Sequence, residues 1–235
     1  NTLRPEQTGL VILYDAVAGT EIRRFGVNGI AHSGNTGSVR FSPDGQTVLS
    51  ADWSGEIRRW DVTSGSLMND YQSVNSAVNS VDFTPDGSAF IAAADEGAVV
   101  MINVATEGLS RRFSFPTPVA KAIFIANATQ FLACLSDNTI VLVDVSTGNS
   151  LFSLTGTTQI CLALAVSPDG LTAVSGHLDG SIYLWDLTTE QLIRRFTETQ
   201  GRINELIFSP DGRSVYTASH AGSSQTVTVW DLSLI

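Results

Sequence analysis

The stretch Val166-Ser167-Pro168-Asp169-Gly170, continuing through Leu171 to Gly176, His177-Leu178-Asp179-Gly180, Ser181-Ile182-Tyr183-Leu184-Trp185-Asp186, a polar turn at Leu187 to Glu190 and Gln191-Leu192-Ile193-Arg194-Arg195-Phe196, decides the fold. Its chemistry is that of short strands joined by tight turns. Proline presets φ at the second position of a turn, aspartate accepts a local hydrogen bond, and glycine adopts the left-handed conformation that closes a hairpin. Ser-Pro-Asp-Gly therefore joins two antiparallel strands. The strand before it, Ile160 to Val166, is almost wholly apolar and is expected to be buried on both faces. A second turn, Leu178-Asp179-Gly180, leads into the strand ending Trp185-Asp186. The last strand, Gln191 to Phe196, is more polar, and its arginines suit an outer edge that has to resist pairing with other chains.

The unit returns along the whole chain. Its turn reappears as Phe41-Ser42-Pro43-Asp44-Gly45, Phe83-Thr84-Pro85-Asp86-Gly87 and Phe208-Ser209-Pro210-Asp211-Gly212, with a degenerate copy at Phe124-Ile125-Ala126-Asn127-Ala128. Phe41, Phe83, Phe124, Val166 and Phe208 are spaced by 42, 41, 42 and 42 residues. A second series ends a strand with an aromatic or aliphatic residue followed by Asp or Asn: Tyr14-Asp15, Trp60-Asp61, Ile102-Asn103, Val143-Asp144, Trp185-Asp186 and Trp230-Asp231, at steps of 46, 42, 41, 42 and 45. Two series that keep one period mark an internal repeat, the first thing to settle in reading a fold.

Composition agrees with an all-β chain. The hydrophobic fraction of 43% over 235 residues supports a large core, glycine is abundant, and Val, Ile, Leu, Thr and Phe recur between turn clusters. The net charge is −10, with 12 Arg and a single Lys, Lys121. An acidic chain without a basic stripe is a poor fit to nucleic acid, whose phosphates need Lys and Arg to neutralise them. No apolar run approaches the ~20 residues that span a bilayer, so no membrane insertion is expected. Residue 1 is Asn rather than Met, and a piece of a longer chain is expected. Cys134 and Cys161 each sit in an apolar strand and are expected as buried thiols, with a disulfide or metal pair as the alternative; thiols favour a reducing compartment, hence a cytoplasmic location.

Four short strands per repeat, with these turn and Trp-Asp motifs, resemble the WD40 repeat family of β-propellers over essentially the entire chain. The resemblance implies four-stranded antiparallel blades around a central channel. On that plan, residues 1–26 form a partial blade, 37–71, 77–113, 118–154 and 159–196 form complete blades, and 202–235 form a second partial blade, twenty-one strands in all. A ring of seven blades, the commonest size in the family, is expected to need further blades from the same chain or a partner chain. Family blades often hold a buried tetrad of a loop His, a strand Ser or Thr, a turn Asp and the Trp. Here His32 and Trp60 match in one blade, with Ser54 at the expected Asp position. Asp179 and Trp185 match in another, with Thr157 at the His position and His177 at the Ser/Thr position. Asp137 matches in a third, beside Phe115 and Val143. His32, Trp60, Asp61, Asp137, Asp179, Trp185, Asp186, Trp230 and Asp231 are thus assigned to structure.

Function is expected where the copies differ. Trp53, in the turn Ala51-Asp52-Trp53-Ser54-Gly55, is either a loop anchor or a recognition contact. The loops before each first strand fall at the same end in the family; they include Gly26 to Gly37, Phe115-Pro116-Thr117-Pro118 and Thr197 to Arg202. Trp53, Phe115, His177, Arg202 and His220 are the candidate partner-binding residues, together with the insertion His220 to Gln225. Catalysis has little support: His32, His177 and His220 lack metal-ligand spacing, and there is no Gly-x-Ser-x-Gly, phosphate loop or Cys-x-x-Cys. No cofactor or metal is expected. Arg23/Arg24, Arg111/Arg112 and Arg194/Arg195 lie on separate blades and suit edge strands better than an anion site. The expected role is a non-catalytic scaffold or sensing module that presents loops to a protein or peptide. A structural subunit of an assembly is the alternative, and an enzyme using the channel mouth a more remote one.

Overall fold

The computed structural model describes residues 9–197, 201–222 and 224–232, and its described elements are all strands. The chain divides into two compact units, residues 1–118 and 119–235. The first unit opens with the two-stranded ribbon β1 (Ile12–Tyr14) and β2 (Glu21–Arg24). Two four-stranded sheets follow. One is β3 (Thr36–Phe41), β4 (Thr47–Asp52), β5 (Ile57–Asp61) and β6 (Leu67–Tyr71); the other is β7 (Val78–Phe83), β8 (Ala89–Ala94), β9 (Ala98–Asn103) and β10 (Leu109–Ser114). The second unit holds β11 (Val119–Phe124), β12 (Gln130–Leu135), β13 (Ile140–Asp144) and β14 (Ser150–Leu154), then β15 (Cys161–Val166), β16 (Thr172–His177), β17 (Ser181–Asp186) and β18 (Gln191–Thr197). It ends in a three-stranded sheet of β19 (Arg202–Phe208), β20 (Ser214–Ala221) and β21 (Ser224–Asp231). Every sheet is antiparallel and pairs its strands in chain order, so the described residues form five blade sheets and a ribbon. No helix among the described residues is long and apolar enough to cross a membrane.

The turn chemistry explains the hairpins. In Ser42-Pro43-Asp44-Gly45 the Ser42 hydroxyl donates to the Asp44 carboxylate at 2.6 Å and accepts the Thr47 N–H at 2.9 Å, while Asp44 accepts the Gln46 N–H and Gly45 sits at φ 69°. Thr84/Asp86, Ser167/Asp169 and Ser209/Asp211 repeat this wiring. The degenerate copy keeps it with substitutes: Asn127 accepts from the N–H and hydroxyl of Thr129, and Ala128 takes the left-handed place of glycine at φ 56°. The Asp or Asn after each third strand works in the next turn, where Asp61, Asn103, Asp144 and Asp186 accept backbone N–H groups two or three residues on.

Burial follows the order of strands within each sheet. In the four-stranded sheets second and third strands are largely buried, as in Ala89–Ala94, whereas fourth strands such as Gln191–Thr197 are mostly exposed. Neighbouring sheets within a unit close apolar cores on each other: Leu49, Ile57 and Tyr71 with Val81, Phe90 and Ile102, and Leu132, Ile140 and Leu154 with Leu164, Tyr183 and Trp185. Each first strand carries one extra residue near its start (Gly37, Asn79, Ala120, Leu162 and Asn204), a bulge that bends the strand at one level in all five sheets. Lys121, the single lysine, is buried and donates to both Glu205 oxygens at 3.0 and 2.8 Å.

The cysteines depart from the buried-thiol expectation. Cys134 on β12 and Cys161 at the start of β15 are fully buried and joined as a disulfide, with Cα atoms 5.8 Å apart, which staples one sheet to the next. With the two sulfurs bonded to each other, the cysteines give no support to a reducing compartment.

Candidate functional site

Two histidine circuits run through the buried interior of their sheets. On β4 and β5, the Trp60 indole N–H donates to the Ser50 hydroxyl at 2.8 Å, Ser50 lies 2.6 Å from His32 Nε2, and His32 Nδ1 lies 3.3 Å from a Glu56 oxygen. Asp52 is fully buried 3.9 Å from the same Nδ1 and accepts the N–H groups of Gly34, Ser54 and Glu56. Glu56 and Asp52, not the Ser54 position, thus supply the carboxylates: Glu56 is the hydrogen-bond partner of the ring, and Asp52 stands behind it and accepts from the Ser54 hydroxyl. On β16 and β17, Trp185 donates to Ser175 at 2.9 Å, Ser175 lies 2.9 Å from His177 Nε2, and His177 Nδ1 lies 2.8 Å from the Gln159 carbonyl. Sequence reasoning gave His177 the Ser/Thr role and a partner-binding role. It has neither: it is 0% exposed and fills the histidine role from within the strand, while Ser175 carries the hydroxyl. On the last sheet Trp230 donates to Thr217 at 3.1 Å.

A register rule links these cases. Trp60, Trp185 and Trp230 stand opposite Val48, Ala173 and Val215, and each bonds the hydroxyl two residues further along that partner strand. Where the third strand carries Ile102 or Val143 instead, the opposite residue is Phe90 or Phe131 and the hydroxyl position is Ala92 or Ala133. A buried hydroxyl without its indole would be left short of a partner, at about 1–3 kcal/mol. Replacing both groups with apolar ones, and moving the ring to the other strand, avoids that cost and keeps the volume.

Both circuits close with neutral imidazoles protonated on Nδ1. Burial is the largest influence on each ring and lowers its pKa, against the raising effect of Asp52 and Glu56 on His32 and of the Gln159 carbonyl on His177. Unfolded histidine titrates near about 6.5, so below that pH the unfolded chain takes up protons that the folded chain refuses. Stability is full above about pH 6.5 and falls as the pH drops towards the folded-state values. A second loss follows between about pH 4 and about 2, because turn donors hold Asp86, Asp144 and Asp186 at about 2. Unfolding midpoints recorded from pH 8 to pH 5 are expected to fall on the acid side, and His177→Asn to flatten part of the slope; a level profile would contradict the neutral circuits.

His32, Asp52 and Glu56 bring three ligand atoms within 4.8 Å of one another, a grouping that metal-ligand spacing did not suggest. Its acceptors are already engaged: Glu56 takes the Ser33 hydroxyl, the Ser33 N–H and His32, and the Arg58 guanidinium stands 3.4 Å away. The trio is built as a proton-holding network that continues through Arg58 to Asp70 at 3.0 Å.

Residues 23–61, 66–103, 148–186 and 190–231 match the family described as WD domain, G-beta repeat. The chain belongs to the WD40 family. Autophagy-related protein 16 of Arabidopsis thaliana is 25% identical over 190 residues, which cover 80% of this chain and 37% of that protein. Eukaryotic translation initiation factor 3 subunit I of Botryotinia fuckeliana (strain B05.10) is 24% identical over 211 residues, 84% of this chain and 63% of that protein. The chain therefore spans about a third to somewhat under two thirds of these relatives. Among solved structures, the β-propeller domain of Cps50 (Swd1) from Myceliophteria thermophila matches at a TM-score of 0.73 and 20% identity, covering 80% of this chain and 64% of that one. The fold is thus a WD40 β-propeller of antiparallel blades, and the indole–hydroxyl–imidazole circuits lie within its blades.

The other WD40 candidates divide between loop ends and strand ends. Trp53, in the β4–β5 turn, is 58% exposed. Its ring lies over Gly37, where an added Cβ would come within 2.8 Å of the indole nitrogen, so glycine at the β3 bulge makes room for the ring. Phe115 is half-buried after β10, its N–H donating to Gly97 in the β8–β9 turn at 2.7 Å. Arg202 and His220 are cross-strand partners at the open ends of β19 and β20, Arg202 exposed and His220 half-buried. Asp137 is exposed and accepts the Thr139 N–H, and Asp179 accepts the Ser181 N–H and hydroxyl; neither hydrogen-bonds a histidine among the described residues. Parts of two singled-out loops, residues 198–200 and 223, lie outside the described residues.

Proposed function

We propose that the chain is a non-catalytic interaction module that presents the loops at one end of its blades to a protein or peptide. The observation that carries this reading is Trp53: a large aromatic side chain, more than half exposed, braced against the Gly37 backbone in the turn between β4 and β5. Aromatic anchors of this kind dominate interface energetics. The initiation-factor relative is named as a subunit, in keeping with a role in an assembly. Trp53→Ala is expected to weaken partner binding by at least about tenfold, measured by titration of the isolated partner, with the unfolding midpoint nearly unchanged. Undiminished binding would contradict this reading.

The last sheet favours a structural reading of the same module. β21 holds the place of a third strand, which the complete sheets bury, yet it is exposed along most of its length, with Val227 and Val229 open and its outer edge without a fourth strand among the described residues. We propose that a further strand and blade, from the same or a partner chain, cover this face in a complete ring of seven. Sedimentation is expected to show the 235-residue chain associating; a stable monomer at high concentration would contradict it.

A further inference from the structure

We propose that a groove beside β6 and the β9–β10 turn binds a free α-amino acid, its carboxylate on Arg59 and the Tyr71 hydroxyl, its ammonium on the Asn69 side-chain oxygen and the Glu107 carboxylate. The groove encloses about 560 Å³, within the range of small-molecule sites, and Asn69, Tyr71 and Glu107 line it. Tyr71 is only 4% exposed, and among the described residues neither its hydroxyl nor the Asn69 oxygen has a hydrogen-bond partner. Arg59, Cα partner of Asn69, is 9% exposed, and its buried Nε likewise has no partner among the described residues. Leaving such groups buried and unmatched is costly, most of all for a guanidinium.

The repeat shows that these groups are departures from a common plan. At the register position of Arg59 the other complete sheets carry Met101, Leu142 and Leu184. At that of Tyr71 they carry Phe113, Leu154 and Phe196. A charge and a hydroxyl have replaced core hydrocarbon on one face of one sheet. Across the groove, Glu107 occupies a left-handed position at φ 59° where the preceding sheet has Gly65 at φ 76°. A carboxylate is held there in a conformation that non-glycine residues disfavour.

The charges select the ligand. Asp70 is already paired with Arg58 at 3.0 Å, which leaves Glu107 in the lining and Arg59 behind it, paired in register with the lining residue Asn69. A simple anion would face Glu107, and a simple cation would leave the Arg59 Nε unmatched; a zwitterion with its charges one carbon apart answers both. Burial pushes the Tyr71 phenol up, so it stays a donor to a carboxylate. Met68 and Leu109, both partly exposed at the rim, suit an aliphatic side chain. This site is independent of the Trp53 surface.

Isothermal titration of the full chain with leucine, isopentylamine and 4-methylpentanoate separates the cases. Leucine is expected to bind, and each half-ligand to bind at least about tenfold more weakly. Arg59→Met and Tyr71→Phe restore residues that neighbouring sheets use. They are expected to keep or raise the unfolding midpoint while weakening leucine binding at least about tenfold. No heat with any aliphatic amino acid at millimolar concentration would mean a groove holding water only and would overturn the proposal. Equal binding of a half-ligand, or full binding by Arg59→Met, would overturn it as well.

Discussion

Trp185→Ala is expected to destabilise the chain by about 3–5 kcal/mol, lowering the unfolding midpoint by roughly 6–20 °C for a domain of this size. The indole is 1% exposed, stacks on Tyr183 with centroids 5.7 Å apart, and supplies the N–H that the Ser175 hydroxyl accepts. Truncation opens a cavity and leaves Ser175 and His177 without the donor that heads their circuit. The register rule makes a sharper companion. Transplanting Phe131, Ala133, Leu135 and Val143 onto their counterparts, as Ala173→Phe, Ser175→Ala, His177→Leu and Trp185→Val, removes donor and acceptors together and returns the lost volume from the other strand. That four-residue variant is expected to lose much less stability than Trp185→Ala, measured by thermal and denaturant unfolding side by side.

Reduction of the Cys134–Cys161 disulfide is expected to have the next largest effect. The bridge closes a separation of 27 residues between β12 and β15, and a loop of that length limits the unfolded chain by about 3.5 kcal/mol. Both sulfurs are fully buried, so reductant is expected to act slowly on the folded chain and completely after unfolding. Unfolding midpoints with and without reductant, and thiol counts under denaturing conditions, check this. Thiols that titrate freely without reductant, or a midpoint indifferent to it, would contradict the staple. Disulfides persist in oxidising surroundings, so a cytoplasmic location has no support from the cysteines.

The strands were legible because their turns are spelled out in residue types that the backbone requires: Pro and Gly for φ, and Ser, Thr and Asp for the local acceptors. Even the sheet of β11 to β14 could be placed, although residues 104–147 fall outside the family match, because Asn127 and Ala128 keep the turn geometry without its usual letters. The site was legible only in part. Asp52 and Glu56 were missed because each lies two residues from Ser54, the position where the carboxylate was sought, and bulges and turns shift such spacings. His177 was misplaced because a histidine in the strand can reach the same serine that a loop histidine would, and only the pairing of Ala173 with Trp185 reveals Ser175 as that serine. The signal was present in Ser50 and Ser175, each ten residues before its tryptophan. The disulfide had no local signal at all, since it depends on two sheets packing. Arg59 carries no motif in the sequence, and only the register sets it against Met101, Leu142 and Leu184 in a buried strand.

The repeated residues build the blades, and the residues that differ between copies are the ones proposed to bind. The most direct measurement of that division compares Trp53→Ala with Trp185→Ala in one experiment, reading partner affinity and unfolding midpoint for both. The expected result is a crossover: Trp53→Ala loses affinity and keeps its midpoint, while Trp185→Ala loses about 3–5 kcal/mol of stability and binds normally at temperatures where it stays folded. A Trp53→Ala chain that binds as before, or that unfolds as early as Trp185→Ala, would contradict it.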